Sequence, residues 1–302
     1  MVHRQIQIQL HSPKDQPIKM EKQNRLTMPK YHKRVLVFDT ETSGLMPKRP
    51  RKGEAFPPNE SYPYIMQLSY IVYNVLTNKI EEIVDEYVRI PDTVQVSPES
   101  VKVHGITREI TEQKGKSIVQ LLAKFFVAYM KCDCIVAHNL QFDSELVRKE
   151  MWRNRAGLEK FVTNQERVNM MCGIFTKKFN AAYHIDTFCT MMNTIELCNI
   201  DFPVVQPTTT QKELDHLDGT IPENVAPKNT NVAVNVRKKF PRLNELYAKL
   251  FSETESAIPV DLHNSIIDVL VCLRCFLKVR GAMEMSESDF RDLVQKYSRL
   301  SL

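Results

Sequence analysis

The chain has 302 residues, of which 43% are hydrophobic and 25% charged, and its net charge is +5. These values are typical of a globular protein with a large core, and no apolar run reaches the ~20 residues of a membrane helix. The seven cysteines are odd in number and irregularly spaced, which argues against a disulfide framework. We therefore expect an intracellular protein of the cytoplasm or the nucleus that does not bind a membrane.

The basic charge is concentrated at the N-terminus. Residues 1–30 hold six Lys and Arg residues against two acids, a balance of +4. Because this segment has no sustained helical or strand period, we interpret it as a basic, mostly disordered arm in front of a single domain over residues 31–302. A solvated tail without a partner is the alternative interpretation.

The first strand pattern begins at Val35 and ends at the turn signal Ser43-Gly44. Successive side chains of a strand point to opposite faces, so Asp39 and Glu41 share one face at its carboxyl end. Two such carboxylates repel each other unless a cation lies between them. Magnesium is the natural candidate because it prefers carboxylate oxygens, although a solvated acidic turn has the same local pattern.

The following segments predict an α/β fold. After a basic, proline-rich loop, two strand patterns form a hairpin around Thr77-Asn78, and an amphipathic helix precedes the buried strand 134–137. That strand leads into Asp143, which thus lies at a strand-to-helix switch, where open α/β sheets place their sites.

The second half of the chain alternates helix patterns with long polar stretches. We interpret residues 46–62, 153–181 and 201–239 as insertions into a core of about residues 33–281. A helix pattern over residues 262–279 contains Asp268, and a carboxylate among apolar residues needs a partner or a metal. His263 lies five residues earlier, about 140° away on a continuous helix, so the two side chains meet only if His263 lies outside the helix.

Two other features carry less weight. Cys272 and Cys275 have a spacing seen in zinc sites, but they lie within the apolar helix and no second ligand pair has a suitable spacing, so we predict buried thiols. Asp186 lies near a strand end without a matching acidic partner, and we interpret it as structural.

Three stretches, in this order, resemble the motifs of the DEDDh 3′–5′ exonucleases, a family that includes the proofreading epsilon subunit, RNase T, oligoribonuclease and the TREX-type enzymes. They are residues 38–45, 138–143 and 263–268. The tyrosine variant of the family would have Tyr at position 264, where this chain has Asn264 after His263, so the histidine subclass fits. The resemblance covers about residues 33–281 and implies an α/β, RNase H-like three-layer fold with a mixed five-stranded sheet flanked by helices.

The resemblance also implies a chemistry. Two divalent cations, Mg²⁺ or Mn²⁺, would support hydrolysis at the free 3′ end of DNA or RNA, with His263 as general base. The metal ligands that it implies are Asp39, Glu41, Asp143 and Asp268. The substrate-binding residues that it implies are Thr40, Thr42, Gly44, Leu45, His104, Asn139 and Phe142.

Two other functions stay open at this point. A catalytically inactive nucleic-acid-binding module needs basic surfaces but no buried acids, and an RNase H-type endonuclease needs a cleft that is open at both ends. The complete set of acids together with the histidine favours the 3′–5′ exonuclease. The choice between DNA and RNA depends on how a pocket treats the 2′-hydroxyl, which the sequence does not reveal.

Overall fold

The structure is a computed structural model that describes residues 32–48, 50–202, 237–251, 262–281 and 285–298. The predicted arm 1–30 and most of the predicted insertion 201–239 lie outside these residues. The strands are β1 Arg34–Thr42, β2 Ile65–Asn74, β3 Lys79–Tyr87, β4 Cys134–Ala137, β5 Asp186–Cys189, β6 Asp201–Phe202 and β7 Arg237–Lys238. The helices are α1 Pro98–His104, α2 Arg108–Lys114, α3 Ile118–Lys131, α4 Leu140–Arg153, α5 Arg155–Val162, α6 Gln165–Gly173, α7 Lys177–Ala182, α8 Thr190–Asn193, α9 Ile195–Cys198, α10 Leu243–Phe251, α11 Ser265–Val279 and α12 Glu287–Ser298.

Five strands form a mixed sheet in the order β3-β2-β1-β4-β5. Strands β1, β2 and β3 are antiparallel neighbours, whereas β4 runs parallel to both β1 and β5. Strand β1 is therefore central, and its residues are buried from Val35 to Phe38. The register of β1 with β2 shifts between Glu41 and Thr42, where the strand ends. The smaller pair β6-β7 is antiparallel.

The alternation along β1 separates two hydrophobic cores. Leu36 and Phe38 pack against the layer that contains α3 and α4, where the rings of Phe38 and Phe125 are 5.2 Å apart. Val35 and Val37 face the other layer, which contains α10, α11 and α12. A sheet with apolar side chains on both faces needs helices on both sides. The predicted three-layer fold with its mixed five-stranded sheet is confirmed.

Most predicted elements occur, with two changes at their ends. The hairpin between β2 and β3 turns at Asn78, whose φ of 54° lies in the left-handed region that asparagine tolerates. The sequence pattern predicts the second strand of the hairpin over Ile80 to Ile90, but β3 ends at Tyr87, three residues earlier. Helix α11 begins at Ser265 and not at Leu262, because His263 has a φ of 90° that no α-helix contains.

The segment 153–181 consists of helices α5, α6 and α7. Each contributes a side chain to the first core, namely Leu158, Val168 and Phe179. The segment is thus packed in the same way as the flanking helices. That it is an insertion into the domain stays a prediction.

The cysteines and Asp186 have structural surroundings. All seven cysteines are free thiols, and Cys272 and Cys275 are buried in α11, so the prediction of buried thiols is confirmed. Asp186 opens β5, and its carboxylate lies 2.8 Å from Nε2 of His32. Among the described residues, no helix has both the length and the apolar character needed to cross a membrane.

Candidate active site

Three carboxylates meet where β1 ends. Asp39 and Glu41 lie on one face of β1, two residues apart, and Asp268 lies in the first turn of α11. One oxygen from each of the three side chains lies within 4.8 Å of the others. The hydroxyl of Ser265 donates to the backbone carbonyl of Asp39 at 3.0 Å and so joins the start of α11 to β1. The sequence predicted the three acids, but nothing in its pattern indicated this contact.

The three carboxylates oppose one another electrostatically. Burial raises the pKa of Asp39 to about 6. Burial, followed by the charges of Asp39 and Asp268, raises the pKa of Glu41 to about 10. The pKa of Asp268 is also raised, first by burial and then by the charge of Asp39. The site therefore retains protons that the same side chains release in water, unless a positive charge takes their place.

Asp143 lies beside this group and is only 3% exposed. It belongs to the first turn of α4, which follows β4 through Asn139 in a left-handed conformation with φ of 66°. Its Oδ1 accepts hydrogen bonds from the hydroxyl of Thr40 at 2.7 Å and from the Thr40 amide at 3.1 Å. Burial and the charge of Asp39 both raise its pKa. Thr40 thus orients Asp143 toward the other acids, and no contact in the structure assigns Thr40 to a substrate.

His263 precedes α11 and is exposed. It thus lies outside the helix, which the sequence analysis gave as the condition for a contact with Asp268. Its backbone amide donates to Oδ2 of Asp268 at 3.2 Å. The positive φ of His263 allows this short return of the chain, which a continuous helix excludes. The backbone of His263 is thereby held at Asp268, while its side chain remains open to solvent.

The donor set fits a divalent cation. Carboxylate oxygens are the ligands that Mg²⁺ prefers, and three of them converge here. Oδ1 of Asp268 is buried and has no hydrogen-bond partner among the described residues. Such an atom is costly unless a proton or a cation satisfies it. The chemistry of the residues therefore agrees with a metal site at Asp39, Glu41 and Asp268.

The segment after β1 forms the rim of the site. The Thr42 hydroxyl donates to the carbonyl of Gly44 at 2.8 Å, and Leu45 is 85% exposed. Gly44 and Leu45 line one cavity, of about 580 Å³. Phe142 and Asn139, from the start of α4, line a second cavity, of about 560 Å³. Ser43, which lines the first cavity, follows β1 directly, and Phe142 precedes Asp143 in α4.

His104 supports this rim through the backbone. Its Nε2 lies 3.0 Å from the carbonyl of Thr42, and its Nδ1 accepts from the amide of Ile106 at 3.0 Å. The two contacts require a neutral ring with its proton on Nε2. Burial lowers the pKa of His104, and the nearby His263 lowers it further. Since both ring nitrogens contact the backbone, a role of His104 in binding the substrate stays a prediction.

The comparison with known families agrees with the motifs. Residues 36–199, more than half of the chain, match the sequence model of the RNase T family, which is described as exonuclease. The matched region contains Asp39, Glu41 and Asp143, and it ends before His263 and Asp268. No curated protein matches the chain significantly.

The chain is also similar in structure to bacterial exonucleases. Escherichia coli Exonuclease I, solved in complex with a 5cy-dT13 oligonucleotide, has 17% sequence identity and a TM-score of 0.51, over 88% of this chain and 44% of that one. A product-bound exonuclease I has 17% identity and a TM-score of 0.49, over 90% of this chain and 49% of that one. This chain thus spans less than half the length of both proteins. Because the family model covers most of the sheet and the motifs appear in order, the chain belongs to the RNase T exonuclease family.

Proposed function

We propose that the chain is a metal-dependent 3′–5′ exonuclease of the DEDDh type, which removes nucleotides from the free 3′ end of a DNA or RNA strand. The observation that supports this most is the convergence of Asp39, Glu41 and Asp268 within 4.8 Å at the end of the central strand. A protein that only binds nucleic acid has no use for three converging, mutually repelling acids, because they repel phosphates as well.

Two divalent cations, Mg²⁺ or Mn²⁺, would each bind to a different set of these acids. Asp39, Glu41 and Asp268 would hold one ion, while Asp39 and Asp143 would hold the other. When bound, the ions supply positive charge for the attacking and leaving oxygens of a phosphoryl displacement. Thr40 keeps one oxygen of Asp143 occupied through two hydrogen bonds, so the other oxygen is the one that can act in the site.

His263 would be the general base. It is exposed at the edge of the acid group, and its own amide is bound to Asp268, which restricts where the imidazole can be. A neutral imidazole at that edge can accept a proton from the attacking water and release it to solvent. The nearby His104 is neutral and held by the backbone, and so does not compete for this role.

The terminal nucleotide would bind over the segment from Thr42 to Leu45. The exposed Leu45 and the partly buried Phe142 offer apolar surfaces near the acids. The likeness to Exonuclease I in complex with an oligonucleotide supports a nucleic-acid strand as the ligand. Thr40, Gly44 and Asn139 complete the proposed binding residues.

The test is hydrolysis of a single-stranded oligonucleotide labelled at its 5′ end. In Mg²⁺ we expect a ladder of products that shorten from the 3′ end, and no products when the 3′ end is blocked or a chelator is present. Asp39→Asn should abolish the ladder, because this variant lacks a carboxylate oxygen from both proposed cation sites. Internal cuts in the blocked strand would favour an endonuclease, and binding without any products would favour an inactive module.

A further inference from the structure

The second cavity, of about 560 Å³, forms a groove between the loop after β1 and helix α4. Lys48 and Phe56 line it from the loop, while Phe142 and Arg148 line it from α4. Phe142 is the residue before Asp143 in the first turn of α4. The proposed cation sites use neither Lys48 nor Arg148.

Arg148 lines the groove from α4. Its Nε is buried and has no hydrogen-bond partner among the described residues, which is also true of the Nε of Arg153. The terminal nitrogens of Arg153, however, donate to Glu150 and to three backbone carbonyls, whereas Arg148 has no such bond within the part of the chain that the structure describes. A guanidinium that is partly desolvated without a partner is costly, and an anion in the groove would satisfy it.

The groove also offers aromatic surface. Phe56 is 79% exposed, although a phenylalanine gains free energy from burial. Among the described residues, the charged side chains that line the groove are Lys48, Arg148 and Glu145. Glu145 lies beside Tyr62, where it contributes to raising the pKa of the phenol. Two cations against one carboxylate leave a net positive groove with an exposed ring.

We propose that this groove binds the unpaired strand upstream of the 3′ end, with Arg148 and Lys48 on its phosphates and Phe56 stacked on a base. Grooves that combine cations with aromatic rings bind single strands in this way. The face of a base can stack on a protein ring only when the base is not already stacked within a duplex. Phe142, Glu145 and Arg148 are spaced three residues apart and all line the groove, which therefore follows one face of α4 away from the start of the helix.

This inference deepens the proposed function, on which the choice of a nucleic-acid strand rests. It is tested by binding in the presence of a chelator, where no hydrolysis occurs, with a fluorescent single-stranded oligonucleotide over a range of salt concentrations. Arg148→Ala should weaken binding about tenfold and reduce the slope of log affinity against log salt by ~0.7. Arg148→Lys should restore the slope, since it keeps the charge.

Phe56→Ala should weaken binding about fivefold, near the lower end of base–ring stacking, and leave the salt slope unchanged. Lys124→Ala is the matched control, because Lys124 is exposed on α3 and does not line the groove. Equal affinities and slopes for Arg148→Ala and Lys124→Ala would overturn the proposal. If the variants Arg148→Ala and Phe56→Ala lost as much affinity for a blunt duplex as for the single strand, the unpaired strand would not be the occupant of the groove. Absence of exonuclease activity in the wild type would overturn the proposed function while these binding results still stand.

Discussion

At the scale of single residues, His263 is the one whose role depends most on conformation. Its φ of 90° and its amide contact with Asp268 place its backbone at the acid group, outside the helix. Strained backbone of this kind persists where the surrounding structure holds it in place. The proposed role as general base would account for a histidine, and not a glycine, in this conformation.

We expect His263→Ala to lower kcat by ~10²–10⁴-fold, the usual contribution of a general base. Binding of substrate and of Mg²⁺ should change little. In the wild type the rate should fall at acidic pH as the imidazole becomes protonated and can no longer accept a proton. Steady-state kinetics over a pH series for both proteins measures these effects.

The control for this experiment is His184→Asn. His184 is exposed and precedes β5, which runs in the same direction as β1, so it lies at the end of the strands opposite to the acids. Asparagine tolerates its φ of 54°. This variant should behave as the wild type does. If His263→Ala kept the full rate and the same pH profile, His263 would have no part in the mechanism.

The acids predict an unusual dependence of stability on pH when no metal is present. Asp39, with a pKa of about 6, and Glu41, with a pKa of about 10, retain protons in the folded state that the unfolded chain has released. The folded state then binds more protons than the unfolded state, so stability falls as pH rises above the ordinary pKa of a carboxyl group. The raised pKa values of Asp143 and Asp268 act in the same direction.

We expect the thermal midpoint of the chelated protein to fall between about pH 5 and about pH 8. Mg²⁺ should reverse most of this fall, because ligands of the folded state stabilise it. Glu41→Gln removes one of the repelling charges, so at the higher pH the chelated variant should be more stable than the chelated wild type, and gain less from Mg²⁺. Thermal unfolding of both proteins with and without metal provides the measurement, and a midpoint of the chelated wild type that rises with pH would contradict the assignment.

At the scale of elements, a buried ion pair within α4 holds this helix to β2 and to the loop before it through further hydrogen bonds. Glu150 accepts from Arg153 at 2.5 Å and from the amide of Ile65 at the start of β2. Arg153 also donates to the carbonyls of Asn59 and Tyr62 in the loop before β2. The same helix carries Asp143 and the groove, so this ion pair positions both.

Arg153→Ala should cost about 3 kcal/mol of stability, because it leaves the Glu150 carboxylate buried without its cation. Arg155→Ala is the control, since Arg155 forms a more exposed pair with Glu159 and its loss should cost less than ~1 kcal/mol. Urea unfolding measures both values. Adding Glu150→Gln to Arg153→Ala should recover part of the loss, and a similar cost for the two single variants would show that the ion pair does not hold α4.

At the scale of the whole molecule, the charge is divided between the arm and the domain. Residues 1–30 carry +4 of the net charge of +5, so the remainder is close to neutral. Such an arm would add affinity for nucleic acid by neutralising phosphates, without contributing to the acid cluster. This expectation rests on the sequence, since the arm lies outside the described residues.

Deletion of residues 1–30 should lower the slope of log affinity against log salt by ~1–3 units for a single strand. The rate at saturating substrate should change little, because all the proposed catalytic residues remain. Binding titrations at several salt concentrations compare the full chain with the truncated one. Coincident salt dependences would leave the arm without a role in substrate binding.

The sequence by itself determined the parts of this protein that have a local period. Alternation along β1 predicts the shared face of Asp39 and Glu41, and the apolar patterns over residues 117–131 and 262–279 predict α3 and α11. Side-chain direction in a strand or a helix follows from backbone geometry within a few residues. The motifs that suggested the exonuclease family are of this local kind as well.

Only the tertiary structure decided how these parts meet. Thr40 and Asp143 are 103 residues apart in the chain, and Ser265 and Asp39 are 226 apart, yet each pair is joined by a hydrogen bond. The groove beside Arg148 likewise depends on packing between distant segments. Such contacts form because the layers bury their apolar faces on one sheet, and no pattern within a single segment contains their distances.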